Sequence, residues 1–296
     1  MIAKIHTVSY SYGKICALKN VSLTVNTGTI CGFIGHNGAG KTTLIKLMMG
    51  LIVKQNGEIT LPDSIGYVPQ MINFAKWRTV RDTLILCARL SGVVNVNEAI
   101  DSVAGLLFIK PFLDKKVGEL SGGMLQIVGI AQSIIHSPEI IIMDEPFSAL
   151  DPENRAMVKK VLRTLGQNGT TILFSSHILS DIDDLASHIA IISQGEMLFE
   201  GTLCSFKERV NKDTPIIIEL GKDSGTWQEI SRLDPAILSL TKTGNKVLIT
   251  IDTERYDDIL SRVIVHMIET GNTIMSIERE KSDLETMVVN YTGKGK

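Results

Sequence analysis

The first 200 residues alternate short apolar runs with stretches of helical periodicity, and this alternation predicts an α/β fold. The run Ile140–Met143, for example, is too short for a buried helix and fits a central strand of a parallel sheet. We predict strands over residues 30–34, 64–68, 140–143, 171–174 and 189–192. Helices are expected over residues 42–51, 79–90, 97–107 and 124–136.

The pattern changes near residue 204, where charged residues crowd together ahead of Pro215. We therefore predict a first domain over 1–204, a linker over 205–214 and a small accessory domain over 215–296. Helices between about 71 and 135 should form a helical subdomain of the first domain. After Pro215 the order is strand, helix, strand, strand, helix, strand, followed by a last helix near Ser282. That order predicts a ferredoxin-like α+β unit.

Composition narrows the class of protein. Hydrophobic residues make up 44% of the 296 residues and the formal net charge is −2, which argues against a nucleic-acid partner. We find no signal-peptide pattern, and no apolar run near the roughly 18 to 20 residues that span a bilayer. The four cysteines are scattered, as expected for reduced thiols. We therefore expect a cytoplasmic protein, which could serve a membrane only by docking on a separate spanning partner.

A glycine-rich segment, GHNGAGKT from Gly35 to Thr42, follows one predicted strand and opens a helix. Its glycines permit a tight turn whose N–H groups converge on phosphate oxygens at a helix N-terminus. Lys41 should reach the terminal phosphates of ATP, and the Thr42 hydroxyl should bind Mg²⁺. Such a turn can be purely structural, but its place between strand and helix favours a phosphate cradle. The candidate nucleotide-binding residues are Gly35, His36, Asn37, Gly38, Ala39, Gly40, Lys41, Thr42 and Thr43.

Two acids, Asp144 and Glu145, follow the apolar strand 140–143. Carboxylates at the carboxyl end of a parallel strand face the crevice where α/β sheets bind ligands. We expect Asp144 to bind Mg²⁺ through water and Glu145 to activate the attacking water. Taken alone, such a pair would more often be a helix start or a surface feature, but the cradle upstream favours catalysis.

The segment LSGGM, Leu120–Met124, resembles the signature sequence of ABC ATPases, and further motifs appear in that family's order between about residues 5 and 203. The resemblance implies that Tyr12 stacks on adenine and that Gln70 senses the γ-phosphate and Mg²⁺. It also implies that His177 contacts the γ-phosphate and that Asp151, in SALD, lies in a loop crossing a dimer interface. Ser121, Gly122 and Gly123 would bind the ATP held by a second subunit.

The resemblance thus implies an ABC-ATPase fold that binds ATP and Mg²⁺. It also implies a pair of cassettes, expected to be a homodimer, that closes head-to-tail and works on a separate integral-membrane permease. TVRDTL (79–84) and SDLETMVVNYTG (282–293) are most similar to single-cassette drug, antibiotic-peptide and sodium exporters. The chain departs from the family at His36, where proline is usual. It departs again at Ile127 and Val128, which replace a basic residue.

Two alternative functions stay open at this point. A soluble ABC ATPase acting on ribosomes or DNA usually has two cassettes, coiled-coil insertions or zinc-binding cysteines, and the sequence contains none of these. A nucleotide-binding regulator without turnover would be expected to lack Glu145 or His177. We also expect the segment from Met71 to about Leu84 to dock the membrane partner, the alternative being that Phe74 and Trp77 pack in the core.

Overall fold

The computed structural model describes residues 2–211, 216–251, 256–279 and 284–293. It divides into two compact units, Met1–Leu203 and Cys204–Lys296.

The first unit contains nine strands and six α-helices among its described residues. The strands are β1 (Ala3–Tyr12), β2 (Ile15–Val25), β3 (Ile30–Ile34), β4 (Glu58–Thr60), β5 (Ile65–Val68), β6 (Ile140–Met143), β7 (Thr171–Ser176), β8 (His188–Ser193) and β9 (Glu196–Thr202). The helices are α1 (Lys41–Met48), α2 (Val80–Leu90), α3 (Val96–Leu106), α4 (Gly122–Ile134), α5 (Pro152–Gln167) and α6 (Leu179–Leu185).

A six-stranded sheet, in the order β5-β6-β7-β3-β8-β9, forms the centre of this unit. Its strands are parallel except for β9, which pairs antiparallel with β8. Every residue of β6 and β7 is buried, as expected for strands covered on both faces. The carboxyl ends of β3, β5, β6 and β7 lie at one edge of the sheet, so the segments after these strands converge there.

A second, antiparallel sheet has the order β2-β1-β4 and shares one apolar core with α1 and the central sheet. Ile5, Leu23, Phe33, Leu44 and Ile142 are among the buried residues of that core. The hairpin of β1 and β2 is long and irregular, with three shifts of register between Ile5 and Ser11.

Helices α2, α3 and α4 lie between β5 and β6 in the chain, where the helical subdomain is predicted. Two short 3₁₀ helices, Lys110–Phe112 and Val117–Glu119, connect α3 to α4. Among all the helices the structure describes, none combines the length and apolar character needed to cross a bilayer.

The second unit contains a four-stranded antiparallel sheet in the order β11-β12-β10-β13. A 3₁₀ helix, Thr226–Arg232, takes the place of the first helix predicted after Pro215. With that substitution the strand and helix order is ferredoxin-like, in agreement with the expected fold class. The elements are α7 (Leu203–Asn211), β10 (Ile216–Lys222), β11 (Ile237–Thr243), β12 (Lys246–Ile251), α8 (Tyr256–Glu269), β13 (Thr273–Arg279) and α9 (Leu284–Gly293). Ser282, where the last helix is predicted to start, lies outside the described residues.

The predicted linker over 205–214 is wrong for most of its length, because residues Leu203–Asn211 form helix α7. Its charged residues alternate with apolar ones at helical spacing, which makes the helix amphipathic. Phe206 is fully buried and packs edge-to-face on Tyr291, with ring centroids 5.4 Å apart. The dense charge that suggested a linker is therefore the polar face of a packed helix.

Candidate nucleotide-binding and catalytic site

A pocket of about 310 Å³ lies at the edge of the central sheet where the parallel strands end. It combines backbone from the glycine-rich segment with side chains that follow β5 and β6. Its lining residues are Ala17, His36, Asn37, Gly38, Gly40, Lys41, Thr42, Thr43, Gln70 and Glu145. Most of the predicted cradle and two of the predicted catalytic residues therefore share one pocket.

Two glycines of the cradle, Gly35 and Gly40, lie where a Cβ would clash with backbone atoms of neighbouring strands. A Cβ on Gly35 would lie 2.6 Å from the Ile192 carbonyl oxygen. Gly40, the N-cap of α1, has a φ of 113°, and a Cβ there would lie 2.8 Å from the Ala17 carbonyl oxygen. These close approaches hold the turn against β2 and β8 and direct the N-terminus of α1 toward the pocket.

Lys41 is the cation of the pocket and is only 6% exposed. Its Nζ donates a hydrogen bond to the Gly35 carbonyl oxygen at 2.5 Å and lies 4.0 Å from the Glu145 Oε1 atom. Burial lowers the pKa of the Lys41 ammonium, and the carboxylates of Glu145 and Asp144 oppose that shift. A ligand with several negative charges would compensate the buried cation, as ATP does.

Glu145 is held in place by its backbone as well as its side chain. Its φ is 52°, an uncommon value for a residue other than glycine. The Glu145 N–H donates to the Ser175 hydroxyl at 2.9 Å, and the Ser148 hydroxyl donates to the Glu145 carbonyl at 3.1 Å. Its Oε2 atom lies 2.7 Å from Nδ1 of His177. The carboxylate is thus fixed between a lysine and a histidine in the lining of the pocket.

Asp144 lies directly beneath this site and is 1% exposed. Its Oδ1 atom accepts a 2.6 Å hydrogen bond from the Ser175 hydroxyl. Its Oδ2 atom is buried and has no hydrogen-bond partner among the residues that the structure describes. An unpaired buried carboxylate oxygen is costly, and a bound cation or its water would satisfy it.

Thr42, Gln70 and Asp144 fit the donor set of Mg²⁺, which prefers oxygen ligands and keeps part of its water shell. Thr42 and Gln70 line the pocket, and Asp144, with its unpaired oxygen, is the residue next to Glu145 in the chain. No cluster of three or more His, Cys, Asp or Glu residues that could hold a metal occurs in the described ranges. A magnesium ion here would therefore depend on the phosphates of its nucleotide for further ligands.

The signature residues lie apart from this pocket. Ser121 caps α4 by accepting a hydrogen bond from the Met124 N–H at 3.2 Å, and Ser121 and Gly122 are exposed. A Cβ on Gly123 would lie 3.1 Å from the carbonyl oxygen of Ala149, so the signature adjoins the loop that ends at Asp151. Asp151 caps α5 and is exposed. These four residues, all of them described, line no part of the pocket.

Tyr12 also lies outside the pocket lining and is 46% exposed. Its ring contacts Tyr10 edge-to-face, with centroids 4.9 Å apart. The same hairpin reaches the pocket at Ala17, five residues further along the chain.

A larger cavity of about 560 Å³ lies at the opposite, amino ends of β6 and β7. Glu139 is the one charged residue in its lining. Because this cavity offers no cation to phosphates, the smaller pocket is the better candidate for a nucleotide.

Ala17 and Ser175 belong to the site but carry no motif that identifies them. Ser175 bridges Asp144 and Glu145, and Ala17 lines the pocket from a bulge between the residues paired with Tyr10 and Ser11. The serine lies two residues before His177, so a search of the strand that precedes the histidine could have found it.

Comparisons with known proteins agree with this geometry. The model of the ABC transporter family matches residues 18–148. The bacitracin transport ATP-binding protein of Bacillus licheniformis is 29% identical, over 99% of this chain and 98% of that protein. The Nod factor export ATP-binding protein I of Rhizobium sp. (strain N33) is 32% identical, over 66% of this chain and 69% of that protein.

Among solved structures, a dimeric post-hydrolysis state of an ATP-binding cassette with ADP and Pi matches with a TM-score of 0.62. That match is 25% identical and covers 68% of this chain and 99% of the other. Together with the pocket around Lys41 and Glu145, these similarities show that the chain belongs to the ABC transporter family, as an ATP-binding and ATP-hydrolysing subunit.

Proposed function

We propose that this chain is the motor of an exporter and works as a head-to-tail homodimer on a separate permease at the cytoplasmic face of the membrane. The observation that carries the proposal is the convergence of Lys41, Gln70 and Glu145 in one pocket, with Glu145 held by His177. Similarity to proteins named for Nod factor export and bacitracin transport supports the direction and the transport role.

Within the pocket, the cradle and Lys41 bind the phosphates of ATP. Glu145 orients the attacking water and accepts its proton, since its carboxylate lines the pocket and is held in place by His177. His177 supports that carboxylate through its 2.7 Å contact, and we assign to it the contact with the γ-phosphate. Thr42, Gln70 and Asp144 would hold a magnesium ion, which would neutralise charge on the phosphates.

The signature supplies the other half of each site. Ser121, Gly122 and Gly123 present a helix N-terminus to solvent and lie beside the loop of Asp151. A helix N-terminus attracts anions, so this surface fits the phosphates of an ATP bound by the second copy. The dimeric state of the matching solved cassette supports this arrangement.

The segment Met71–Leu84 is our proposed permease-docking segment. Met71 is 84% exposed and Trp77 is 72% exposed, which disfavours a core role for Trp77. The guanidinium of Arg78 lies 5.0 Å from the centroid of the Trp77 ring. Exposed aromatic and arginine side chains of this kind concentrate binding energy in interfaces.

The first experiment tests the chemistry with Glu145→Gln. We expect the variant to bind MgATP normally and to turn it over at least about a hundredfold more slowly. The ATP-closed dimer should then accumulate and be visible by size-exclusion chromatography. Glu139→Gln makes the same change of charge at the opposite, exposed end of β6 and should behave like the wild type. Near-normal turnover in Glu145→Gln would refute the role of Glu145.

A second experiment tests the transport role. A tagged chain is isolated from gently solubilised native membranes, and its partners are identified by mass spectrometry. The proposal requires a polytopic membrane protein among them, and Trp77→Ala should lose that protein while keeping its melting temperature and basal ATPase activity. Recovery of DNA or ribosomes with strong salt dependence, and of no membrane protein, would contradict it.

A further inference from the structure

Tyr12 lies at the tip of the β1–β2 hairpin, where the pairing of the two strands is irregular. The register of the two strands shifts between Ile5 and Val8, between Val8 and Tyr10, and between Tyr10 and Ser11. Each shift weakens the ladder of hydrogen bonds that would otherwise fix the tip. The tip therefore needs a further contact if the ring of Tyr12 is to keep one position.

The outer edge of β1 is uncovered near this tip. β4 pairs with β1 at Lys4, Ile5 and His6, and within the described parts of the chain no strand covers β1 at Ser11. Backbone N–H and C=O groups at an edge are left to water unless another group binds them.

The side chain of Gln55 binds both of these groups on Ser11. The Ser11 N–H donates to Oε1 of Gln55 at 2.9 Å, and Nε2 of Gln55 donates to the Ser11 carbonyl oxygen at 3.0 Å. One primary amide thus takes the place of a neighbouring strand at the residue before Tyr12. Tyr10, packed on the apolar core, contacts the Tyr12 ring edge-to-face.

We propose that Gln55 is a positioning residue for the adenine base: it fixes the backbone at Ser11 and so sets the place of the Tyr12 ring. The inference rests on the proposed ATPase function and on the stacking of Tyr12 on adenine that the family resemblance implies. Gln55 itself does not line the phosphate pocket. Its loss should therefore weaken recognition of the base and leave recognition of the phosphates unchanged.

The experiment compares two ligands, MgATP and magnesium tripolyphosphate, by calorimetry on the full-length chain. We expect Tyr12→Ala to lower the affinity for MgATP about tenfold, the typical scale of base stacking on an aromatic ring. Gln55→Ala should lower it about threefold to fivefold, because the ring stays present but is less well placed. Neither variant should change the affinity for tripolyphosphate.

Two further variants sharpen the result. Gln55→Glu keeps the acceptor for the Ser11 N–H and loses the donor to its carbonyl, so its affinity should fall between wild type and Gln55→Ala. Asn56→Ala removes an exposed amide one residue later, which forms no side-chain hydrogen bond within the described part of the chain, and should match the wild type. In a Tyr12→Ala background, Gln55→Ala should cause no further loss, since the residue acts through the ring.

The possible outcomes separate this inference from the proposed role of Tyr12. If Tyr12→Ala keeps full MgATP affinity, the stacking role fails and the inference about Gln55 fails with it. If Tyr12→Ala loses affinity and Gln55→Ala does not, only the inference about Gln55 is overturned. An equal loss for both ligands, or a loss that adds to that of Tyr12→Ala, would also overturn it.

Discussion

The cradle and the signature are both glycine-containing turns at the N-terminus of a helix, yet their surroundings differ. Around the cradle, a Cβ on Gly35 or Gly40 would collide with backbone oxygens, and Lys41 is buried among carboxylates. At the signature, Gly122 has no neighbouring atom within 4 Å of the position of a Cβ. The first turn is enclosed by its own chain at Gly35 and Gly40, whereas the second is open at Gly122.

The difference indicates that two turns of similar local structure can need different additional groups before they form a nucleotide-binding site. The cradle has a cation, a carboxylate and a histidine in contact with that carboxylate within one chain, so we expect it to bind a nucleotide without a partner. The signature offers only a hydroxyl and a helix N-terminus, which attract an anion weakly. A partner that brings bound phosphates would complete it.

The largest expected effect is the loss of nucleotide binding in Lys41→Ala. Removing the buried cation costs a charge-assisted contact to the terminal phosphates, so MgATP affinity should fall on the order of 10- to 100-fold. Isothermal titration calorimetry measures the change. Lys46→Ala, on the same helix but outside the pocket lining, is the matched control. Unchanged binding by Lys41→Ala would mean that the enclosed turn is not the phosphate site.

A second prediction concerns the open turn. Gly122→Asp should fold normally, because nothing surrounds that position, and should bind MgATP within about twofold of wild type. Its added carboxylate should repel the partner's triphosphate and lower steady-state turnover roughly tenfold or more. Gly105→Asp, on the exposed surface of α3, makes the same change of charge away from the site. Normal turnover by Gly122→Asp would show that the signature is not part of the active site.

Mixing the two inactive variants sharpens the comparison further. In a head-to-tail pair of one Lys41→Ala chain and one Gly122→Asp chain, one site keeps both an intact cradle and an intact signature. Random pairing of equal amounts should restore about a quarter of the wild-type sites, and ATPase activity should rise accordingly. Activity that stays at the level of the separate variants would argue against sites shared between two chains.

The smallest effect is expected from removing the second unit. We propose that residues 204–296 are a separate domain, dispensable for nucleotide binding, because the contacts of the chain divide at Leu203. A chain of residues 1–203 should bind MgATP within about threefold of the full-length protein. A soluble, cooperatively melting 1–203 that fails to bind MgATP would refute this proposal.

The parallel core and the acidic pair could be predicted from sequence because their patterns are local. Ile140–Met143 is apolar at every position and is followed by the acids, so strand and site are adjacent in the chain. Helix α7 was harder to predict. In the sequence, the charges of Lys207, Glu208 and Arg209 indicate a solvated linker. The burial of Phe206 in the structure shows that these residues instead form one face of a packed helix.

The sequence by itself determined the cradle, the acids after β6 and the signature, because each is a contiguous segment whose residue types suit one chemistry. Only the tertiary structure decided which distant groups support them. Ser175 meets Asp144 because β7 lies beside β6, and Gln55 meets Ser11 because one edge of β1 is uncovered. Such pairings depend on strand order and register, which arise from packing across the whole chain and which no local run of residues encodes.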